Sequence, residues 1–358
     1  MKQKKIGILV CLVIAATMFQ YCSKNDTVGA VTGTVTGTTA ATTLSLLSPL
    51  LPGSPFNYSN ILFPAHIAAV LPLVDNTPAT NPITNDGATL GRVLFYDKHL
   101  SENNTVSCGS CHKQSISFSD SAIKSLGFLG GTTARHSMRL LNVRFYQSGK
   151  MFWDERANTL EDQVLQPIQN TTEMGMTLTE LVPKIAALSY YPALFQKAFG
   201  STEVTSDKIS KALAQFVRSI VTYQSKYDQV KQGLATFTTD ERDGENIFLT
   251  NGNVSCAGCH APPMFLTSAP AAPFALLDPN DLGINNQRRF KCGSLRNIGE
   301  VSRYFHNGSV AGLQNVISTN IPAHNVPPQD RVKLLAFLQT LTDLACVADT
   351  KFSDPFKQ

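Results

Sequence analysis

The chain has 358 residues, 43% of them hydrophobic, which is enough for one or two domains with well-formed cores. Its formal charge is +4, but three of its lysines lie within the first five residues, in a stretch typical of an export signal, so the rest of the chain is close to neutral. This balance gives no support to nucleic-acid binding, and we expect any protein partner to dock on local charged patches.

Residues 1–22 are typical of an export signal. Lys2, Lys4 and Lys5 precede the apolar run IGILVCLVIAA, which is too short to span a bilayer comfortably. Cys22 follows and is a candidate for lipid attachment, although Tyr21 is an unusual residue before a lipoprotein cleavage site. Lipid anchoring at Cys22 and plain secretory cleavage both remain open, and either places the protein in the periplasm or at the cell-envelope surface.

Residues 23–84 carry little periodicity. The part from 27 to 43 is small and polar, which is typical of a flexible tether. The part from 44 to 84 is rich in Pro, Leu and Asn, and we predict that it wraps around the following domain with little regular structure.

Helical periodicity dominates from residue 85 onward, and no long strand-like alternation appears. The fold is therefore predicted to be mainly α. The predicted helices are NDGATLGRVLFYD (85–97), NTLEDQVLQPI (158–168), TLTELVPKIAAL (177–188), YPALFQKAF (191–199), TSDKISKALAQFVRSIVTYQSKYD (205–228, the longest), TTDERDGENIFLT (238–250) and PPQDRVKLLAFLQTLTD (327–343).

The motif Cys-x-x-Cys-His occurs twice, in VSCGSCHKQ and in VSCAGCHAP. Two cysteines three apart on a short helix can add to the two vinyl groups of one haem, and the following histidine can bind its iron. A zinc site would prefer further Cys or His pairs, and a redox dithiol would not need the histidine. Two copies in an exported chain predict two covalently attached haem c groups, held by Cys108, Cys111 and His112 and by Cys256, Cys259 and His260.

Each motif follows a predicted helix, so we predict two cytochrome c-like haem domains packed against each other, residues 85–228 and 229–358. Two further cysteines, Cys292 and Cys346, are not used by the haem motifs or the signal. In an oxidising compartment we expect them to form a disulfide, with two buried thiols as the alternative.

The stretch MFWDERANTLEDQVLQPIQNTTEMGMTL (151–178) lies between the haem motifs, with LGRVLFYDKHLS before it and LRN, YFHNGS and LTD…FSDPF after it. This pattern resembles the bacterial di-haem cytochrome c peroxidases and their relatives that oxidise tryptophans during methylamine dehydrogenase maturation. The resemblance extends from about Asn85 to Lys357. It implies a peroxidase that reduces hydrogen peroxide to water with electrons from a small cytochrome c or cupredoxin. The N-terminal haem would be the peroxidatic centre, and the C-terminal haem would collect electrons.

The resemblance also implies roles for individual side chains. Glu173 matches the distal acid–base of the peroxidatic pocket, and Gln163 matches a second polar residue there. Trp153 matches a residue between the haems that relays electrons, and His306 matches a histidine near the haem propionates. Without the resemblance, Trp153 and His306 would be interpreted as core residues and Glu173 as a solvated one.

The chain departs from the family pattern around both irons. Phe128 stands where many relatives carry a histidine that caps the resting first haem, which implies an open first iron, with His136 as another candidate cap. The methionine or tyrosine that binds the second iron in the family aligns with Asn320, a poor ligand. His324 is the better substitute ligand and Met264 the weaker one; an open second iron is the remaining alternative.

Family members also hold a calcium ion between the haems. The asparagine that binds it aligns with His136, and Arg303 replaces a nearby proline, so calcium is an open alternative. Because family peroxidases often dimerise, a homodimer is a further open alternative.

Two other functions remain: a di-haem enzyme that oxidises a protein or organic substrate through high-valent iron, and a non-enzymatic di-haem electron carrier. An open ferric iron that reacts with peroxide would exclude the carrier.

Overall fold

The computed structural model describes residues 48–250, 255–267, 278–321 and 324–357, so the export signal, Cys22 and the tether lie outside the described residues. The helices are α1 (Ala65–Ala68), α2 (Leu71–Val74), α3 (Asn85–Tyr96), α4 (Cys108–Cys111), α5 (Leu160–Gln169), α6 (Leu178–Ala186), α7 (Tyr191–Phe199), α8 (Ser206–Ser219), α9 (Lys226–Lys231), α10 (Thr239–Thr250), α11 (Cys256–Cys259), α12 (Leu313–Val316), α13 (Pro328–Gln339) and α14 (Leu344–Ala348). Short 3₁₀ turns lie at Lys98–Leu100, Gln114–Ile116, Val143–Phe145, Ile284–Asn286, Ile298–Glu300 and Thr350–Phe352. An antiparallel hairpin pairs β1 (Arg303–Tyr304) with β2 (Val310–Ala311).

The prediction of a mainly α fold is confirmed. Most of the predicted helices begin at a residue whose side chain accepts a hydrogen bond from the first turn: Thr84 for α3, Thr159 for α5, Thr177 for α6 and Thr205 for α8. These local signals explain why periodicity alone located the elements. Among the helices that the structure describes, none combines the length and the apolar character needed to cross a membrane.

The predicted long helix over 205–228 is wrong in its second half. α8 ends at Ser219, and the chain runs in extended form until Ser225 caps α9. The freed backbone groups between them find distant partners: the amide of Thr222 donates to the Asn142 side chain at 3.0 Å, and that of Tyr223 donates to Asp343 at 2.9 Å. Tertiary hydrogen bonds therefore replace the helical ones in this β-branched stretch.

The two halves of the described chain use the same helix pairing. In the first, α3 packs on α8 at Gly91, where a Cβ would overlap the carbonyl of Ala212. In the second, α10 packs on α13 at Gly244, where a Cβ would overlap the carbonyl of Lys333. The absence of a side chain allows each pair of backbones to approach closely. Each pair belongs to its own hydrophobic cluster.

Each half also contains a buried asparagine in the left-handed backbone conformation. Asn142 (φ 62°) precedes one 3₁₀ turn and Asn297 (φ 56°) precedes another. The Asn142 side chain exchanges two hydrogen bonds with Thr222, after α8. The Asn297 side chain exchanges two with the backbone of Asp343, after α13. Each asparagine thus fixes the exit of the long helix in its own half.

Residues 48–84 follow the predicted course, with α1 and α2 as single turns in an otherwise irregular path. Tyr58 is fully buried, and its hydroxyl donates to the carbonyl of Lys351 at 2.5 Å. The amide of Leu50 donates to the carbonyl of Pro355 at 2.8 Å. This segment therefore packs against the C-terminal end of the chain.

A buried ion pair connects four separate parts of the fold. Arg296 donates to both carboxylate oxygens of Asp228 at 2.7 Å, and both side chains are fully buried. Asp228 also bonds His66 of α1 at 2.9 Å, and Arg296 donates to the carbonyl of Pro263, just after the second haem motif. Burial alone would raise the pKa of Asp228, but the hydrogen bonds and charge of Arg296 outweigh it and lower the pKa.

The predicted disulfide between Cys292 and Cys346 is wrong, since both cysteines are free and buried. Cys292 lies in a small cluster with Phe290 and Ile321, against which Cys259 packs. Cys346, on α14, belongs to the large cluster of the first half. An even cysteine count gives no information on distance, and the fold places these two thiols in different cores.

We expect Arg296→Ala to lower the free energy of unfolding of the holoprotein by about 3–5 kcal/mol, because it leaves the Asp228 carboxylate buried and unpaired. Denaturant unfolding monitored by circular dichroism measures this. Lys211→Ala is the matched control, since Lys211 pairs with Asp207 at the surface of α8, and it should leave the midpoint nearly unchanged.

The same pair predicts an acid-sensitive stability. Because the pKa of Asp228 is lower in the fold than its ordinary 3.8, the unfolded chain binds this proton more tightly. The contribution is therefore complete above about pH 4 and disappears as the pH falls through the lower folded value. The difference in free energy of unfolding between the wild type and Arg296→Ala should therefore shrink on acidification. A difference that stays constant would contradict this prediction.

Alkylation tests the thiols directly. In denaturant without reductant, we expect both Cys292 and Cys346 to be alkylated, as mass spectrometry of the peptides would show. Labelling of these two residues only after reduction would mean that they are oxidised in the purified protein.

Candidate functional site

The two Cys-x-x-Cys-His motifs adopt the same local structure. Each forms a single helical turn, α4 (Cys108–Cys111) and α11 (Cys256–Cys259), directly after a capping serine. Ser107 caps α4 as part of a capping box, and Ser255 accepts a hydrogen bond from the amide of Gly258. Both cysteines of each motif thus sit on one short turn, as two thioether links to a single haem require.

The histidine that ends each motif is held by the turn before it. The His112 amide donates to the carbonyl of Cys108 at 2.9 Å, and the His260 amide donates to that of Cys256 at 2.8 Å. Nδ1 of His112 lies 3.1 Å from the carbonyl oxygen of Phe118. A ring that donates through Nδ1 keeps the lone pair of Nε2 for a metal.

Both proximal histidines are neutral at pH 7. Burial lowers the pKa of His112 below its ordinary value. Burial, reinforced by the nearby His324, lowers the pKa of His260 to about 3. Neutral imidazole is the form that binds iron.

A cavity of about 860 Å³ is lined by residues of both halves. It reaches both His112 and His260, and Trp153 forms part of its wall. Glu173 and Gln163 line it as well. Most of the sequence-predicted site residues therefore border one cavity; His306 and the two cysteines of the second motif, Cys256 and Cys259, lie outside its lining.

The lining fits two haems with charged propionates. Among the described residues around the cavity, five side chains are basic and four are acidic: Arg135, Arg139, Arg156, Lys291 and Arg303 against Asp154, Glu173, Asp278 and Asp281. In addition, both ring nitrogens of His306 are buried without a hydrogen-bond partner among the described residues. Buried orphan nitrogens are costly unless a further group pairs with them. Cations and orphan donors together suit a bound group that is flat, apolar and edged with carboxylates.

Glu173 is the carboxyl group on the His112 side of the cavity. It lies on the loop after α5, where its amide donates to the carbonyl of Asn170 at 3.1 Å and its carbonyl accepts from the amide of Phe128 at 3.0 Å. Burial raises the pKa of Glu173 above its ordinary 4.5, and the charge of Arg156 offsets this only in part. The raised pKa makes the protonated carboxyl group more accessible than that of an exposed glutamate, as proton transfer in both directions requires.

Trp153 is fixed at both its ring and its backbone. Its indole Nε1 donates to the carbonyl of His136 at 2.7 Å, and its carbonyl accepts from the amide of Lys291 at 2.9 Å. The next residue, Asp154, pairs with Arg135, which also binds both oxygens of Asp281. The ring thus has one orientation, set by residues of both halves.

His306 lies next to the ion cluster formed by Arg135, Asp154 and Asp281. It is only 1% exposed and stacks flat on Phe290, with ring centroids 3.6 Å apart. Its Nε2 is 3.8 Å from Asp281, and its carbonyl accepts from the amide of His136 at 2.8 Å. Burial lowers its pKa to about 4, against the opposing charge of Asp281.

Neither candidate cap of the first haem offers a ligand. Phe128 is buried against Gly175 and does not line the cavity. His136 lines it, but Nδ1 lies 3.1 Å from the carbonyls of Ala122 and Ile123, and Nε2 lies 3.3 Å from the hydroxyl of Ser119. Both ring nitrogens of His136 are therefore occupied.

The same bonds bear on calcium. The resemblance aligns the calcium-binding asparagine with His136, and the preceding residue, Arg135, is paired with two carboxylates. A fixed cation and an imidazole are poor neighbours for a hard dication that prefers oxygen ligands. The side chains at this position do not fit calcium.

The three candidate ligands of the second haem lie in different environments. His324 lines the cavity together with His260. Asn320 is exposed, and Met264 is buried in a separate cluster with Phe145; neither lines the cavity.

Four basic residues of the site were missed by the sequence interpretation, namely Arg135, Arg139, Arg156 and Lys291, and two of them are deeply buried. Arg139 donates to the carbonyls of Arg296 and Ser294, and burial lowers its pKa to about 10. Lys291 donates to the carbonyl of Lys150, lies 3.5 Å from the ring centre of Tyr146, and has its pKa lowered by burial to about 7. The only available signal was the similarity of RLLNV (139–143) to LRNIG (295–299), a repeat of the buried asparagines.

Comparison with known proteins gives consistent results. A family model described as di-haem cytochrome c peroxidase matches residues 85–236. The chain is 34% identical over 282 residues to cytochrome c551 peroxidase of Nitrosomonas europaea, covering 74% of this chain and 82% of the relative. It is 31% identical over 289 residues to the methylamine utilization protein MauG of Methylorubrum extorquens, covering 74% and 80%.

Solved structures agree on the fold. A MauG-like protein associated with microbial copper homeostasis superposes with a TM-score of 0.71 at 28% identity, covering 83% of this chain and 99% of that one. The di-haem peroxidase BthA of Burkholderia thailandensis superposes with a TM-score of 0.64 at 21% identity, covering 86% and 99%. At that identity, the likeness to BthA concerns the fold alone.

Proposed function

The chain belongs to the di-haem cytochrome c peroxidase family, and on that premise we propose that it reduces hydrogen peroxide to water with electrons from a small cytochrome c or cupredoxin. The observation that carries this proposal is the cavity that joins His112, Glu173, Trp153 and His260. A peroxide needs two electrons and a relocated proton, and these residues meet both needs.

Two covalently attached haem c groups supply the redox-active iron: Cys108, Cys111 and His112 hold one, and Cys256, Cys259 and His260 hold the other. In this proposal each set belongs to its own cytochrome c-like domain, 85–228 and 229–358, and the two domains pack against each other. The separate clusters around the Gly91 and Gly244 helix pairs support two cores, although Cys346 and Phe352 of the second segment pack in the first cluster and Tyr227 of the first segment packs in the second.

Glu173 moves the proton. Its carboxylate would take a proton from the inner oxygen of hydrogen peroxide and give it to the outer oxygen, so that the O–O bond breaks and the outer oxygen leaves as water. The inner oxygen would leave as a second water once the donor has supplied two electrons and the solvent two protons. The raised pKa makes the protonated form accessible, which the second half of this transfer requires. Gln163, across the same cavity, orients the peroxide through its side-chain amide.

The N-terminal site is ready for peroxide without prior reduction. The family's capping position holds Phe128, which packs on Gly175 outside the cavity lining, and the ring of His136 is engaged elsewhere. These packing arrangements support a first haem that is open in the oxidised protein.

Trp153 carries electrons from the C-terminal site to the N-terminal site. Its position in the cavity wall and its fixed ring support this role, since a relay works best at constant distance and orientation. His306 and the Arg135 cluster bind propionates and hold the groups on either side of this ring in place; the orphan nitrogens of His306 support that assignment.

The protein works in the periplasm or at the cell-envelope surface. The relatives are bacterial cytochrome c peroxidases, and the lysine-led apolar start of the chain is typical of an export signal. We extend this proposal to acylation of the protein at Cys22 and to its assembly as a homodimer. The mass of the mature N-terminal peptide distinguishes acylation from simple cleavage, and light scattering measures the oligomeric state.

A second candidate is an enzyme that oxidises a protein or organic substrate. The observation that favours it is Asn320, an exposed residue at the position where the resemblance places the second haem's ligand. The 31% identity to a MauG protein agrees with it. Peroxide-dependent oxidation of a protein substrate without turnover of small cytochromes would favour this candidate.

The decisive experiment is peroxide-dependent oxidation of a reduced small cytochrome c by the oxidised, as-isolated protein. We expect turnover without pre-reduction. Glu173→Gln should lower kcat/KM for peroxide by about 10²–10⁴-fold, since it removes the group that transfers the proton. Glu203→Gln is the control, because Glu203 is an exposed residue paired only with Lys208 at the surface, and it should turn over normally.

The pH profile of the same reaction identifies the group. Because the pKa of Glu173 is raised in the fold, the active carboxylate is lost on acidification at a pH above 4.5, the ordinary glutamate value. We expect an acid limb above that pH in the wild type and its loss in Glu173→Gln. No turnover, even after one electron is added per molecule, would reject the peroxidase proposal.

Replacing the relay separates electron delivery from chemistry. We expect Trp153→Phe to retain both haems and the reaction of the first peroxide molecule, but to slow steady-state turnover, because phenylalanine is much harder to oxidise than tryptophan. Stopped-flow spectra compared with steady-state rates would show this. Equal steady-state rates in both proteins would exclude Trp153 as the relay.

A further inference from the structure

The loop after α12 turns two of its residues inward. The amide of Val326 donates to the carbonyl of Ile317 at 2.9 Å, which closes the loop, and a bridge between Ser318 and Asn325 narrows it. Within it, Ile321 is 3% exposed and belongs to the small cluster against which Cys259 packs. The loop therefore rests on the second haem-attachment site.

His324 lies close to Ile321 on the inward-facing side of this loop. Its amide donates to the carbonyl of Ile321 at 3.0 Å, and its ring meets Phe305 edge-on with centroids 5.5 Å apart. Phe305 packs on the cluster that includes Cys292, beside Cys259, and lines the cavity. The imidazole of His324 thus borders the cavity near the cysteine that attaches the second haem.

The other candidates are excluded by position. Asn320 is exposed, does not line the cavity and carries an amide that is a poor iron ligand. Met264 is 3% exposed and packs in a cluster with Phe145 and Leu266. Its side chain does not line the cavity, and its carbonyl accepts from the hydroxyl of Ser294 at 2.7 Å.

From this placement, and resting on the proposed attachment of haem at Cys256, Cys259 and His260, we infer that His324 is the second axial ligand of the C-terminal haem. The C-terminal haem is then ligated by two imidazoles in place of the family's methionine or tyrosine.

This ligation has two consequences. A six-coordinate iron has no free position for peroxide, so peroxide chemistry is confined to the N-terminal site. Two imidazoles also give a lower reduction potential than a Met–His pair. The electron donor must accordingly be a stronger reductant than one suited to a Met–His haem, which selects the class of small redox protein that serves this enzyme.

The test is spectroscopic and uses the full-length holoprotein. In wild type we expect two haems per chain, one of them low-spin in the electron paramagnetic resonance spectrum of the oxidised form. In His324→Gly this signal should convert to high-spin, and added imidazole should restore it. Asn320→Ala and Met264→Leu are the matched controls and should keep the wild-type spectrum.

A second variant covers the case in which His324→Gly fails to fold. His324→Met keeps a ligand at the same place and should raise the midpoint potential of the C-terminal haem in a spectropotentiometric titration. A low-spin signal that survives His324→Gly, a spectrum altered by either control, or an unchanged potential in His324→Met would overturn the inference. A wild-type chain without haem on the second motif would instead reject the proposed function itself.

Discussion

The architecture depends on the buried pair between Asp228 and Arg296. Neither charge is exposed to water, so each is stable only while the other stays in place. Through this pair, His66 of the wrapping segment, the start of α9 and the carbonyl of Pro263 after the second haem motif are held together. Because the Arg296 carbonyl also accepts from Arg139 in the cavity wall, the same contact fixes part of the functional site.

Around this ion pair, the two halves of the chain repeat the same backbone arrangement but differ in the side chains near their haem motifs. The glycine contacts at Gly91 and Gly244 and the left-handed asparagines at Asn142 and Asn297 are equivalent in detail. The surroundings of the two haem motifs are not equivalent. Near His112 the cavity offers a half-buried carboxyl group, whereas near His260 it offers an imidazole. A duplicated frame with unlike distal groups is consistent with one site for chemistry and one for electron supply.

Local signals made most of this predictable, and long-range contacts explain the rest. Helix caps and the Cys-x-x-Cys-His turns depend on neighbouring residues, so the sequence located them. The break after Ser219 depends on Asn142 and Asp343, which lie far away in the chain. The same reason explains the wrong disulfide and the missed cations, since the burial of Cys292 and Lys291 arises only when both halves pack.

The hydrogen bond from Trp153 to the carbonyl of His136 has a consequence for the relay. An indole that gives up one electron becomes a strong acid at its ring nitrogen, and a neighbouring base would remove that proton and trap the ring as a neutral radical. A backbone carbonyl is far too weakly basic to do so. The N–H therefore stays in place while the electron hole passes, and the ring recovers by accepting one electron alone. In the proposed relay, charge crosses this wall without any accompanying proton.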